Sequence, residues 1–156
     1  MSPFEQMTYN FNKALLERKS PLTESQLQSE CVIQFSQAHP ELKGNLIGYF
    51  ANADNKIKGA INNSLGLVKN CSDLLYIKNG ELIGLELKIP NSRHDRIHLC
   101  GQSLWLLKTP KIGWFVDSLE MFWQIINGGS GIDPQIVLDN CLRIKTTTVE
   151  WNKVKY

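Results

Sequence analysis

Ser72-Asp73-Leu74-Leu75-Tyr76-Ile77-Lys78-Asn79-Gly80-Glu81-Leu82-Ile83-Gly84-Leu85-Glu86-Leu87-Lys88-Ile89 reads as two short apolar strands joined by a tight turn. The Asn79-Gly80 pair within the link suits a two-residue hairpin, because both residues accept positive φ. The segments 72–77 and 82–89 are therefore expected to pair antiparallel. Side chains alternate across a strand, which places Glu86 and Lys88 on one face and Leu85, Leu87 and Ile89 on the other. Asp73, at the start of the first strand, then lies opposite Glu86 and Lys88. A Glu and a Lys two residues apart read as a salt bridge. With Asp73 added, oxygen ligands for a hard divalent cation such as Mg²⁺ become the better reading.

Upstream of the hairpin, residues about 4 to 19 are expected to form a short helix ending at Ser20-Pro21. Thr23 is the candidate N-cap of a second helix running to about Ala38, with His39-Pro40 as its stop. At about 100° of rotation per residue, Glu24 falls inside the stripe of Leu27, Cys31, Phe35 and Ala38 and is expected to point inward. Glu30 falls outside that stripe and reads as a solvated residue. An inward carboxylate needs a positive partner or a helix N-terminus beside it. Leu46 to Phe50 suggests a strand, Asn52 to Asn55 a polar loop, and Lys56 to Leu65 a helix. Gly66 and Asn70 are turn positions where positive φ is tolerated.

Downstream, Pro90 ends the second strand, and Asn91-Ser92-Arg93-His94-Asp95-Arg96 reads as a basic polar loop. A helix carrying Gln102, Leu104, Trp105 and Leu107 follows, then a strand at Ile112 to Val116. Ser118 is expected to cap a helix through Ile126. Gly128-Gly129-Ser130-Gly131 reads as a linker, Asp133-Pro134 as a helix start, and Leu142 to Trp151 as a last strand. The chain shows no internal repeat.

At 156 residues, with 42% hydrophobic composition and four Trp, the sequence fits one domain with a real core. Trp105, Trp114 and Trp123 lie in apolar stretches and read as core. No apolar run approaches a membrane span and the N-terminus does not resemble a secretory signal, so no membrane and a cytoplasmic location are expected. Cys31, Cys71, Cys100 and Cys141 are scattered without a CxxC pair, which favours reduced, packed thiols. His94 and His98 with Cys100 hint at zinc, but no fourth ligand has matching spacing. A net charge of +2 does not by itself imply nucleic acid, so a DNA-binding surface would be a local patch.

The order of these pieces resembles the PD-(D/E)XK nuclease superfamily and, within it, the VRR-NUC family. Gly66-Leu67-Val68-Lys69-Asn70-Cys71-Ser72-Asp73-Leu74 is similar to that family's G-x-x-x-G-x-P-D-L run, and Leu85-Glu86-Leu87-Lys88 to its I-E-x-K strand. Glu24-Ser25-Gln26-Leu27-Gln28 is similar to its E-x-x-x-Q helix, and Gln102 sits where its helix-borne glutamine falls. Asn70 stands where the family usually has Gly and Ser72 where it usually has Pro. The resemblance covers about residues 22 to 127 and leaves 128–156 as an extension of open role.

The resemblance implies an α/β fold with a restriction-endonuclease-like core, a small mixed central sheet flanked by helices. It implies a metal-dependent DNA endonuclease, acting as a homodimer on branched DNA such as four-way junctions. A nuclease for flaps, ends or simple duplexes is the alternative, with a non-catalytic DNA-binding module on the same fold as the other. On chemical grounds Asp73 and Glu86 are the expected ligands of Mg²⁺ or Mn²⁺. The Leu87 backbone carbonyl is a further one, and Glu24 reaches the metal directly or through water. Lys88 orients the attacking water or stabilises phosphoryl charge. Gln102 positions Lys88 or a phosphate oxygen; without the resemblance it reads as a helix-surface amide. Arg93, His94, Arg96 and His98, extended by Lys56, Lys58 and Lys69, are the expected contacts to DNA phosphates, with a simply solvated loop as the alternative.

Overall fold

The computed structural model describes residues 23–49 and 68–156 without a break, together with isolated positions before Thr23 and between residues 58 and 64. The described strands are β1 (Leu46–Gly48), β2 (Leu74–Lys78), β3 (Glu81–Leu87), β4 (Arg93–Asp95), β5 (Ile112–Val116) and β6 (Thr148–Glu150). The helices are α1 (Glu24–Ala38), α2 (Arg96–Lys108), α3 (Leu119–Ile126), α4 (Pro134–Arg143) and the single turn α5 (Trp151–Val154), with a 3₁₀ turn at Pro40–Leu42. The protein is thus mixed α/β.

The hairpin forms as its sequence dictates. β2 and β3 pair antiparallel with Leu74 opposite Leu85 and Lys78 opposite Glu81. Asn79 and Gly80 at the turn have φ of 52° and 76°, the double positive φ that a two-residue loop needs to follow the strand twist. β1 joins the other side of β2 antiparallel, and β5 joins β3 in parallel after the crossover through α2, giving a mixed sheet in the order β1-β2-β3-β5.

Apolar side chains on one face of the sheet, Leu74, Tyr76, Ile83, Leu85 and Leu87, bury against Leu27, Cys31 and Phe35 of α1 and Phe122, Ile125 and Ile126 of α3. The opposite face of β3 presents Gly84, Glu86 and then Lys88 beneath α2. A methyl group on Gly84 would lie 2.9 Å from Cζ3 of Trp105, so glycine is what lets the helix ride this close to the strand. Gln102, one turn before Trp105, is thereby set over Glu86.

Several helix boundaries follow local chemistry. Thr23 and Gln26 form a reciprocal capping box at the start of α1, Ser118 caps α3, and Asp133 caps α4 with Pro134 in its first turn. Other expectations are corrected by packing. Glu30 is 2% exposed and not solvated, because the buried stripe of α1 runs Leu27, Glu30, Cys31, Phe35; Ala38 is exposed. The basic loop before α2 contains β4, which pairs with β6. The last strand is confined to Thr148–Glu150, since α4 continues to Arg143 and Trp151 opens α5.

Gly128 to Gly131 is no linker. Ile132 pairs with Phe115 of β5 through backbone bonds in both directions. The residues beyond it complete a second core, in which Ile132, Val137, Cys141, Val149, Trp151 and Val154 pack with Leu99, Leu106 and Phe115. Trp151 is fully buried and donates its indole N–H to Asp117 at 3.1 Å, which also takes an ion pair from Lys155 at 2.9 Å.

The expected helix over 4–19, the loop over 52–55, and Phe50, Lys56 and Gly66 lie wholly or largely outside the described residues. Within the expected helix 56–65, the described Lys58, Ala60, Ile61 and Ser64 are helical. No helix among the described residues is long and apolar enough to cross a membrane.

Candidate active site

A cavity of about 310 Å³ opens where β2, β3, α1 and α2 meet, and Glu24, Asp73, Glu86, Lys88 and Gln102 all line it. Two larger clefts beside α1, of about 370 and 430 Å³, offer Lys43 as the one charged side chain among their described lining residues. The convergence follows from the fold. Asp73 is the residue before β2, Glu86 is the last inward polar position of β3, and Lys88 lies just past the strand end, where its N–H still donates to Val116 of β5 at 2.9 Å. Glu24 is the first residue of the capped α1.

Glu86 is the hub. Its Oε1 accepts from Gln102 Nε2 at 2.5 Å and from Lys88 Nζ at 3.2 Å. Lys88 also approaches Glu24 Oε1 at 4.0 Å. Asp73 Oδ2 accepts the Leu87 N–H at 2.9 Å, which ties the start of β2 to the end of β3. Leu87 thus meets the site through its backbone, while its side chain is buried in the first core. Gln102 is 8% exposed, so it is not a helix-surface amide.

Three carboxylates line this cavity against one ammonium and two neutral histidines, so with all three ionised it would carry two more negative than positive charges. Burial, opposed by Lys88 and reinforced by Asp73, lifts the Glu86 carboxyl to about 8. Burial also raises Glu24, again against the pull of Lys88. Glu86 Oε2 and Gln102 Oε1 are buried without a hydrogen-bond partner among the described residues. Paired buried oxygens are the rule, so oxygens left over beside a surplus of carboxylates fit a cation. No three His, Cys, Asp or Glu side chains among the described residues are grouped closely enough to hold a metal ion by themselves.

His94 and His98 enter the same cavity. The Ser92 hydroxyl donates its proton to the Ile89 carbonyl at 2.6 Å, so toward His94 Nε2, 2.7 Å away, it accepts. His94 is thereby assigned as the Nε2–H tautomer, with Glu24 Oε1 3.7 Å from the same nitrogen. Burial, then Lys88 and His98, draw its pKa down to about 4, and burial and Lys88 lower that of His98 as well. Both therefore meet a ligand as neutral imidazoles and not as cations.

The expected phosphate contacts separate. Arg93 bonds Thr148 at 3.0 Å and approaches Glu150, and Arg96 bonds the Thr146 carbonyl at 3.1 Å, so both face the C-terminal segment and neither lines the cavity. Lys58 and Lys69 are exposed, and Lys56 lies outside the described residues. Cys100 packs on the second core beside Cys141, on the opposite side of α2 from His98 and Gln102, which separates it from the histidines of the zinc reading.

Tyr49, Asn70 and Cys71 also line the cavity; Asn70 and Cys71 lie within the Gly66–Leu74 run but carried no expected role, and Tyr49 lies outside every motif. Tyr49 follows β1 and its hydroxyl clasps the Val68 backbone, holding the approach to Asp73. Its distance in sequence from Val68 left no signal. Cys71 is raised to about 11 by burial and by Glu86 and Asp73, which keeps it a thiol and no nucleophile at neutral pH. No family model, no curated protein and no solved structure matches the chain.

Proposed function

We propose that the protein is a metal-dependent endonuclease that hydrolyses phosphodiester bonds in DNA. The observation that carries this reading is the convergence of Asp73, Glu86 and Lys88, with Glu24 and Gln102, on one cavity with a surplus of carboxylates over cations and with unpartnered buried oxygens. A structural ion pair does not account for that surplus. Asp73 and Glu86 would hold Mg²⁺ or Mn²⁺ together with the Leu87 backbone carbonyl, with Glu24 reaching the ion directly or through water. Such an ion supplies Lewis acidity toward a phosphoryl oxygen and a lowered pKa for water.

The chain's own residues supply the rest. Lys88 is 2% exposed and held by Glu86 and Glu24, so its ammonium is fixed at the cavity wall before substrate arrives. There it orients an attacking water or stabilises charge growing on the phosphoryl oxygens. Gln102 fixes Glu86 by donating to Oε1, leaving Oε2 free to turn toward the cavity. Neutral His94 and His98 line the wall as hydrogen-bonding groups that add no positive charge beside the carboxylates.

The restriction-endonuclease-like core, the homodimer and the preference for branched DNA belong to this proposal through the resemblance in sequence. A twofold dimer supplies one cavity to each of the two strands cut at a four-way junction. Incubating purified protein with linear, flap and four-way-junction DNA in Mg²⁺, Mn²⁺ or EDTA tests the reading. Cleavage that EDTA abolishes supports it, and the DNA cut fastest identifies the substrate. Absence of cleavage of every DNA in both metals overturns it.

A further inference from the structure

Asn70 leads into Asp73 and stands at the same cavity. Its φ of 64° lies in the left-handed region, which Asn tolerates better than most residues. Its Oδ1 is buried with no hydrogen-bond partner among the described residues. The carboxamide is pressed against α2 at Gly101, where an added methyl group would lie 2.5 Å from Asn70 Nδ2 and 3.3 Å from Oδ1. Gly101 directly precedes Gln102, whose Oε1 is also unpartnered, as is Glu86 Oε2. A loop, a helix and a strand thus each bring a buried, unsatisfied oxygen to one cavity, and what they lack in common is a donor or a cation.

We propose that Asn70 is a further positioning residue of this site. Its carboxamide keys into the gap left by Gly101, orients the turn that delivers Asp73, and presents Oδ1 as a neutral oxygen toward a divalent cation or its water. The proposal rests on the metal-dependent reading above. A neutral oxygen suits the place, because the cavity already holds three carboxylates against one ammonium and another carboxylate there would add repulsion. Hard divalent ions accept amide oxygens alongside carboxylates, and groups that orient the ligands matter as much as the ligands.

The test reads Mn²⁺ affinity by electron paramagnetic resonance without DNA, beside the melting temperature in EDTA. Asn70→Gly keeps the positive φ and removes the carboxamide, and is expected to weaken Mn²⁺ binding roughly tenfold. Gly101→Ala drives a methyl into the carboxamide and is expected to lower both affinity and melting temperature. In Asn70→Gly/Gly101→Ala the methyl fills the vacated space, so the melting temperature recovers while Mn²⁺ affinity stays weak. A merely structural role would restore both. Unchanged Mn²⁺ affinity in Asn70→Gly, with the wild type binding normally, overturns the role of Asn70 and leaves the metal-dependent reading standing. A wild type that binds no Mn²⁺ overturns both, and a double variant that melts as low as Gly101→Ala removes the keyed contact.

Discussion

Glu86 and Asp73 serve one site by opposite contributions to stability. The Glu86 carboxyl sits near 4.5 in the unfolded chain and is lifted to about 8 by burial in the folded one. Between those values the folded state holds a proton that the unfolded state has lost, so the stability of the metal-free protein falls as pH rises through this window. Glu86→Gln removes the titration, and in EDTA it is expected to stabilise the protein by a few kcal/mol at most near pH 8 and by little near pH 5. Asp73→Ala instead strands the Leu87 N–H and is expected to cost about 1 kcal/mol. Urea denaturation at the two pH values checks both signs. Each substitution is also expected to abolish cleavage, and wild-type cleavage by Glu86→Gln in nuclease-free enzyme would sink the assignment. Lys88→Ala is expected to lower the cleavage rate far more than DNA affinity measured in Ca²⁺, because the proposed role of Lys88 is on the reacting groups. An affinity that falls in step with the rate makes it a phosphate anchor.

α1 links cap chemistry to the site, because the same first turn that Thr23 and Gln26 close carries Glu24. Thr23→Ala is expected to cost about 1 kcal/mol of stability and to raise the Mg²⁺ needed for half-maximal cleavage, as the loosened turn lets Glu24 drift from Lys88. A cleavage titration that matches wild type would separate the cap from the site. Glu24 and Glu30, on one helix, are expected to diverge. Glu24→Gln impairs the Mg²⁺ response because it removes a charge from the cavity wall, whereas Glu30→Gln, buried away from that wall, changes stability and leaves the Mg²⁺ response alone. Equal Mg²⁺ titrations for the two variants would show that the cavity does not use Glu24.

Across the whole molecule, residues 128–156 are structural and reach toward the cavity. Trp151 is fully buried against Phe115, bonds Asp117 through its indole, and donates its backbone N–H to the Ser92 carbonyl at 2.8 Å. Ser92 in turn holds His94 at the cavity. Trp151→Ala is expected to cost about 3–5 kcal/mol, and truncation after Arg143 to leave a chain that does not fold cooperatively. Urea denaturation and one-dimensional proton spectra check this. A truncated chain with a sharp unfolding transition would show that the second core is dispensable.

Features whose physics is local were legible in the chain before any fold was known. Asn79-Gly80 specified the hairpin, Thr23, Ser118 and Asp133-Pro134 specified helix starts, and strand alternation placed Glu86 and Lys88 on one face opposite Asp73. Each of these depends on residues a few positions apart. Tertiary structure decided the rest, because the partners lie far apart in the chain. Glu30 is buried by what packs on α1, β4 and β6 exist only as each other's partner, Tyr49 meets Val68 across an intervening segment, and Arg93 and Arg96 turn to the C-terminal segment. The gap at Gly101 that receives Asn70 belongs to this second kind, since a glycine inside a helix announces a close approach only once the neighbour that fills it is in place.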